Sequence, residues 1–171
     1  YTAADATTVT GTVSMVLDNN SRISLSNNDE NTYNTVLGYD ALTYNGTPLG
    51  NVGADFNVAI GHDSMGAGNT TTATMNTAVG YLSLRNVVSG SSNVSLGASA
   101  GAGITTANST VFIGASAGQA VTVTGSGTPG ASDGTVAIGA SALTALTSGA
   151  GNTAVGYEAG NAIADDNNNT L

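Results

Sequence analysis

The hydrophobic and polar positions of this chain fall into one short phrase that returns seven times. Its fullest forms are Asn-Val-Ala-Ile-Gly at Asn57 to Gly61 and Asn-Thr-Ala-Val-Gly at Asn76 to Gly80. Further copies run Asn34 to Gly38, Asn93 to Gly97, Thr110 to Gly114, Thr135 to Gly139 and Asn152 to Gly156. With the Asn or Thr counted as position 0, position 1 is β-branched in every copy. Position 3 is always aliphatic: Leu37, Ile60, Val79, Leu96, Ile113, Ile138 and Val155. Residues two apart share a face of a pleated strand, and branched side chains suit it, so each phrase predicts one short strand. Position 2 faces the other way and is Val36, Ala59, Ala78, Ser95, Phe112, Ala137 and Ala154. Neither face carries the charged or large polar residues of a solvated sheet. Both are therefore expected to be buried, as in parallel sheets covered on each side, with the position-3 row as the buried strand.

The closing glycines, Gly38, Gly61, Gly80, Gly97, Gly114, Gly139 and Gly156, lie 23, 19, 17, 17, 25 and 17 residues apart. Seventeen residues is the bare repeat, and the excess reads as loops. A repeat on this scale marks a solenoid. A chain that turns sharply after so short a strand needs a left-handed or closely approached backbone position, which glycine supplies at least cost. Five phrases open with Asn34, Asn57, Asn76, Asn93 or Asn152, and asparagines stacked at one turn can hydrogen-bond along the rod as a ladder. Position 7 is small in every copy (Ala41, Ser64, Ser83, Ala100, Ala117, Ala142, Ala159), so the coil is thin. A thin coil covers one face of its strand. The simplest cover for the other is a further copy of the chain, packed around a symmetry axis; the spacing does not distinguish two copies from three.

The phrases at Asn57 to Gly61, Asn76 to Tyr81 and Asn152 to Tyr157 resemble the head repeats of trimeric autotransporter adhesins and the related repeats of phage tail-fibre proteins. The resemblance spans Asn34 to Leu171. It implies an all-β, left-handed parallel β-roll of about seven coils, three chains around one axis, serving in attachment to cells. The chain departs from the adhesin pattern at Thr110 and Thr135, which replace the asparagine, and at Phe112, which replaces a small residue. The Gly-Tyr-x-Ala ending at Gly38 to Ala41 and Gly156 to Ala159 leans towards the tail-fibre side.

Two regions are expected along the 171 residues. Residues 1–33 lack the phrase; Thr8 to Leu17 and Arg22 to Ser26 read as strands that cap the first coil or form a degenerate one. Residues 34–171 form the repeat domain. Asn169 stands 17 residues after Asn152, so the array stops inside a repeat and is expected to continue beyond 171. Three excursions leave the coils: Thr43 to Phe56 and Gly66 to Met75 as surface loops, and Gln119 to Gly134 as a strand with a flexible return.

Charge changes the picture mainly by exclusion. Only two residues are Lys or Arg, and the net charge is −9, which excludes a basic surface for nucleic acid or anionic lipid. A polar chain with 8 % charged residues and 40 % hydrophobic residues in register suits an extracellular or virion rod, and no cysteine staples it. No apolar run is long enough to span a bilayer, so direct membrane insertion is not expected.

Candidate chemistry is sparse. His62-Asp63 pairs the one histidine with a carboxylate, but position 5 holds Tyr39, Tyr81 and Tyr157 in other coils, so His62 reads as a rim residue rather than part of a catalytic group. Asp40, Asp63 and Glu158 share position 6 and would suit calcium, although the pattern reads first as a solvated face. No catalytic residue and no cofactor is expected. The tyrosines form a possible sugar-stacking row or a shield for the turn. The residues thus predict a structural fibre segment of a homotrimeric attachment protein, a tail fibre or surface adhesin, mediating or presenting binding to an unnamed cell-surface receptor or glycan. The alternative is an extracellular filament subunit joined end to end by strand addition.

Overall fold

The computed structural model describes residues 33–44, 47–48, 53–66, 70–121 and 132–171. The expected N-terminal strands and the Thr122 to Ala131 part of the third excursion lie outside them. Among the described residues there is no helix. The middle three residues of each phrase form a strand: β1 (Thr35–Leu37), β4 (Val58–Ile60), β5 (Thr77–Val79), β6 (Val94–Leu96), β7 (Val111–Ile113), β8 (Val136–Ile138) and β9 (Thr153–Val155). They pair in parallel and in chain order, position 1 on position 1 and position 3 on position 3, as one seven-stranded sheet. Successive coils of a solenoid are thus stacked along the sheet. The first excursion, expected as a loop, opens with a small antiparallel hairpin of β2 (Thr43–Tyr44) and β3 (Thr47–Pro48). Asn45-Gly46, which separates these strands in sequence, is the dipeptide favoured in two-residue hairpins.

Each coil has a single strand; the remainder is turn. Backbone hydrogen bonds nevertheless link neighbouring coils along those turns. The N–H at position 6 donates to the preceding coil, as in Leu82 to His62 and Ser99 to Tyr81. The N–H at position 8 donates to the following coil, as in Leu84 to Ala100 and Leu143 to Ala159. Both positions have positive φ, at Asp63 (54°), Leu82 (58°), Leu84 (48°) and Leu143 (49°) among others. Left-handed backbone costs a non-glycine residue about 1–2 kcal/mol. Here it turns the peptide groups along the rod, where a neighbouring coil satisfies them.

The core is the inside of the winding. At position 2, Ala59, Ala78, Ser95, Phe112, Ala137 and Ala154 are all fully buried. They meet position 7, position 8 and a further buried row at position 11: Val87, Ile104, Val121 and Leu146. Volumes are exchanged between positions 2 and 8 of one coil. Ala59, Ala78 and Ala137 accompany Met65, Leu84 and Leu143, whereas Phe112 accompanies Gly118. A Cβ built on Gly118 or on Gly101 of the preceding coil would come closer than 3.0 Å to the Phe112 ring. The large residue that departs from the repeat is therefore housed by two glycines. Position 3 lies on the opposite side: Ile60, Val79, Ile113 and Ile138 are half-buried, and Leu37, Leu96 and Val155 are exposed. Within one chain the inward face of the strand is position 2.

Candidate interaction surface

Two polar columns hold the coils in register beside the strand. In the first, the Asn76 amide Nδ2–H donates to Asn57 Oδ1 (3.1 Å) and to the Gly90 carbonyl (2.9 Å), while Asn76 Oδ1 accepts from the Asn93 backbone N–H (3.0 Å) and Nδ2–H (3.0 Å). Asn93 repeats the arrangement with Ala107 and with Thr110, whose hydroxyl donates to Asn93 Oδ1 (2.7 Å). These side chains are fully or almost fully buried. The column pauses at Thr135, whose N–H is taken by the Ser132 carbonyl (3.3 Å), and resumes between Asn152 and Asn169. The second column, at position −2, runs in the opposite sense: the Thr74, Ser91 and Asn108 backbone N–H groups donate to Ser91 Oγ, Asn108 Oδ1 and Asp133 Oδ1 of the following coil. Its members share hydrogen-bonding capacity but no residue type, so repetition of letters does not reveal it.

The turn glycines form a third column. Gly38, Gly61, Gly80, Gly97, Gly114, Gly139 and Gly156 have φ between 129° and 145°. A Cβ on any of the first six would stand closer than 3.0 Å to backbone atoms of the next glycine in the column. Both the torsion and the stacking distance thus demand glycine at position 4.

These columns align the outward side of the strands, where the exposed apolar residues collect. Among the described residues ten large hydrophobic side chains are exposed. Nine lie on the strand's outward positions or at its two shoulders, position −1 before it and position 5 after it; the tenth is Leu171. The shoulders are widest in the first three coils. Tyr33 and Phe56 stack at position −1 with centroids 4.9 Å apart and planes within 5°, followed there by Met75. On the other shoulder the His62 ring lies between Tyr39 (5.3 Å) and Tyr81 (5.6 Å). The later coils carry Ser92, Ser109 and Gly134 before the strand, and Ala98, Ala115 and Ala140 after it.

His62 Nδ1 lies 3.4 Å from Asp63 Oδ2, and its other ring neighbours are the two tyrosines. Asp40 and Asp63 occupy adjacent coils, whereas Leu82, Ser99, Ser116 and Ser141 separate them from Glu158 in the position-6 row. Among the described residues no group of three or more His, Cys, Asp or Glu side chains is placed to hold a metal ion. Glu158 instead bonds the Tyr157 hydroxyl, and this bond together with its negative charge raises the Tyr157 phenol above its ordinary value. No described helix is long and apolar enough to cross a membrane. Fold and surface together define a parallel β-solenoid with one apolar, partly aromatic outer side. No protein-family model, curated protein or solved structure matches the chain.

Proposed function

We propose that this chain is the structural fibre segment of a homotrimeric attachment protein, a tail fibre or surface adhesin outside the cell, that presents binding to a host-cell receptor or glycan. The observation that carries the reading is the gathering of nine exposed large hydrophobics along one side of the winding. At roughly 80–100 Å² each, scaled from the 150–250 Å² of a whole aromatic side chain, they offer on the order of 800 Å² of apolar surface. That is far above the few hundred Å² usual for a monomer and about what one partner contributes to a stable interface. An identical strand face is the natural cover: branched side chains at the 4.8 Å coil spacing match their own repeat on a parallel neighbour. The left hand of the winding and the number three belong to this proposal through the resemblance of the Asn-Thr-Ala-Val-Gly-Tyr phrases to adhesin and tail-fibre repeats.

Light scattering on the purified chain tests the reading. A species of three 16.6 kDa chains is expected, and a folded monomer at micromolar concentration refutes it. Electron microscopy separates the fibre segment, seen as short discrete rods, from the alternative of an end-to-end filament, seen as long fibres.

A further inference from the structure

The two shoulders of the strand are matched in size, coil by coil, although they do not touch within one chain. In the first three coils the residues before and after the strand are Tyr33 and Tyr39, Phe56 and His62, Met75 and Tyr81. In the next three they are Ser92 and Ala98, Ser109 and Ala115, Gly134 and Ala140. Large accompanies large and small accompanies small; only the seventh coil, with Gly151 and Tyr157, departs. Position −1 and position 5 of a coil are six residues apart across an extended segment, roughly 20 Å. No intrachain contact can account for the match.

We infer that the shoulder before the strand in one copy packs against the shoulder after the strand in the next copy, same coil against same coil, closing a head-to-tail ring. The inference rests on the assembly proposed above and specifies its interface. Parallel rods around an axis along their length present strand beginnings to strand ends, the heterologous contact that closes cyclic oligomers. Every coil then faces its own number, so the aromatic shoulders meet aromatic shoulders in coils one to three, and serine, glycine and alanine let the backbones approach in coils four to six. A two-fold axis across the rods would set the broad first coils against the narrow later ones. Neither shoulder carries a carboxylate or a Lys or Arg in any of the seven coils; an interface core is depleted in charge in the same way.

The test uses the absence of native cysteine. Ser92→Cys and Ala98→Cys are placed together in the chain, and Ser109→Cys with Ala115→Cys serves as an independent second pair. Under mild oxidation each double variant should convert most of the protein to a covalent trimer on a non-reducing denaturing gel, and each single variant should give none. Dichroism confirms the fold, and light scattering is run on the same samples. A folded trimer whose double variants stay uncrosslinked, or whose single variants crosslink, overturns the shoulder pairing and leaves the assembly standing. A monomeric parent chain overturns both.

Discussion

Phe112 offers the sharpest test of how the interior is packed. It is fully buried, and the two backbones beside its ring are Gly101 and Gly118, neither of which can supply atoms to refill the space. Phe→Ala changes in cores cost about 3–5 kcal/mol, more where the site cannot collapse. Phe112→Ala should therefore fall near the upper end, a large part of the 5–15 kcal/mol that holds a typical domain. Gly118→Leu should also destabilise, by about 1–3 kcal/mol or more, because its Cβ alone overlaps the ring. The double variant Phe112→Ala, Gly118→Leu reproduces the pairing of Ala78 with Leu84 and of Ala137 with Leu143. The backbone accepts it, since Gly118 has φ 57° and Leu84 has φ 48°. It is expected to be more stable than either single variant, with a coupling near the top of the roughly 0.5–3 kcal/mol seen for residues in contact. Urea unfolding at one fixed protein concentration measures all four corners of the cycle. Additive losses would refute the volume exchange between positions 2 and 8.

Three further outcomes are expected. Asn76→Ala strips a buried donor from the Gly90 carbonyl and a buried acceptor from the Asn93 N–H; each orphaned group costs about 1–3 kcal/mol, so the denaturation midpoint should drop well beyond the change for an exposed Asn161→Ala control. Gly97→Ala should abolish folding, because its Cβ would strike the Gly114 backbone, whereas Gly134→Ala, with φ 68° and open space around it, should cost about 1–2 kcal/mol; equal losses in a thermal melt would contradict the stacked-glycine account. Ile113→Asp, on the outward face, should leave the dichroism of the coil intact and eliminate the oligomer in light scattering; an assembly of unchanged size would show that this face is not the interface.

Much of the fold was legible because a repeat states its own register. A strand whose β-branched and aliphatic residues recur every 17 residues can stack only with the phrase before and after it, and the sheet is indeed parallel, in chain order and without a helix. The row of asparagines was legible for a related reason, since one residue type satisfies the same buried groups in coil after coil. The position −2 column was hidden because Thr, Ser, Asn and Asp fill one role with different letters. The position 11 row was hidden because loops of unequal length obscure its alignment with the phrase.

Taken alone, the amino-acid order determined the period, the strand in each period, the parallel stacking and the thinness of the coil, because alternation and spacing are local properties of a chain. Tertiary structure decided which strand face turns inward. Positions 2 and 3 are both apolar, so hydrophobicity cannot choose between them; the choice follows from volume. The space inside the winding is already occupied by positions 7, 8 and 11, and only alanine, serine, or a phenylalanine accommodated by two glycines fits across from them. The bulkier valine, leucine and isoleucine side chains of position 3 are left on the outer side of the winding.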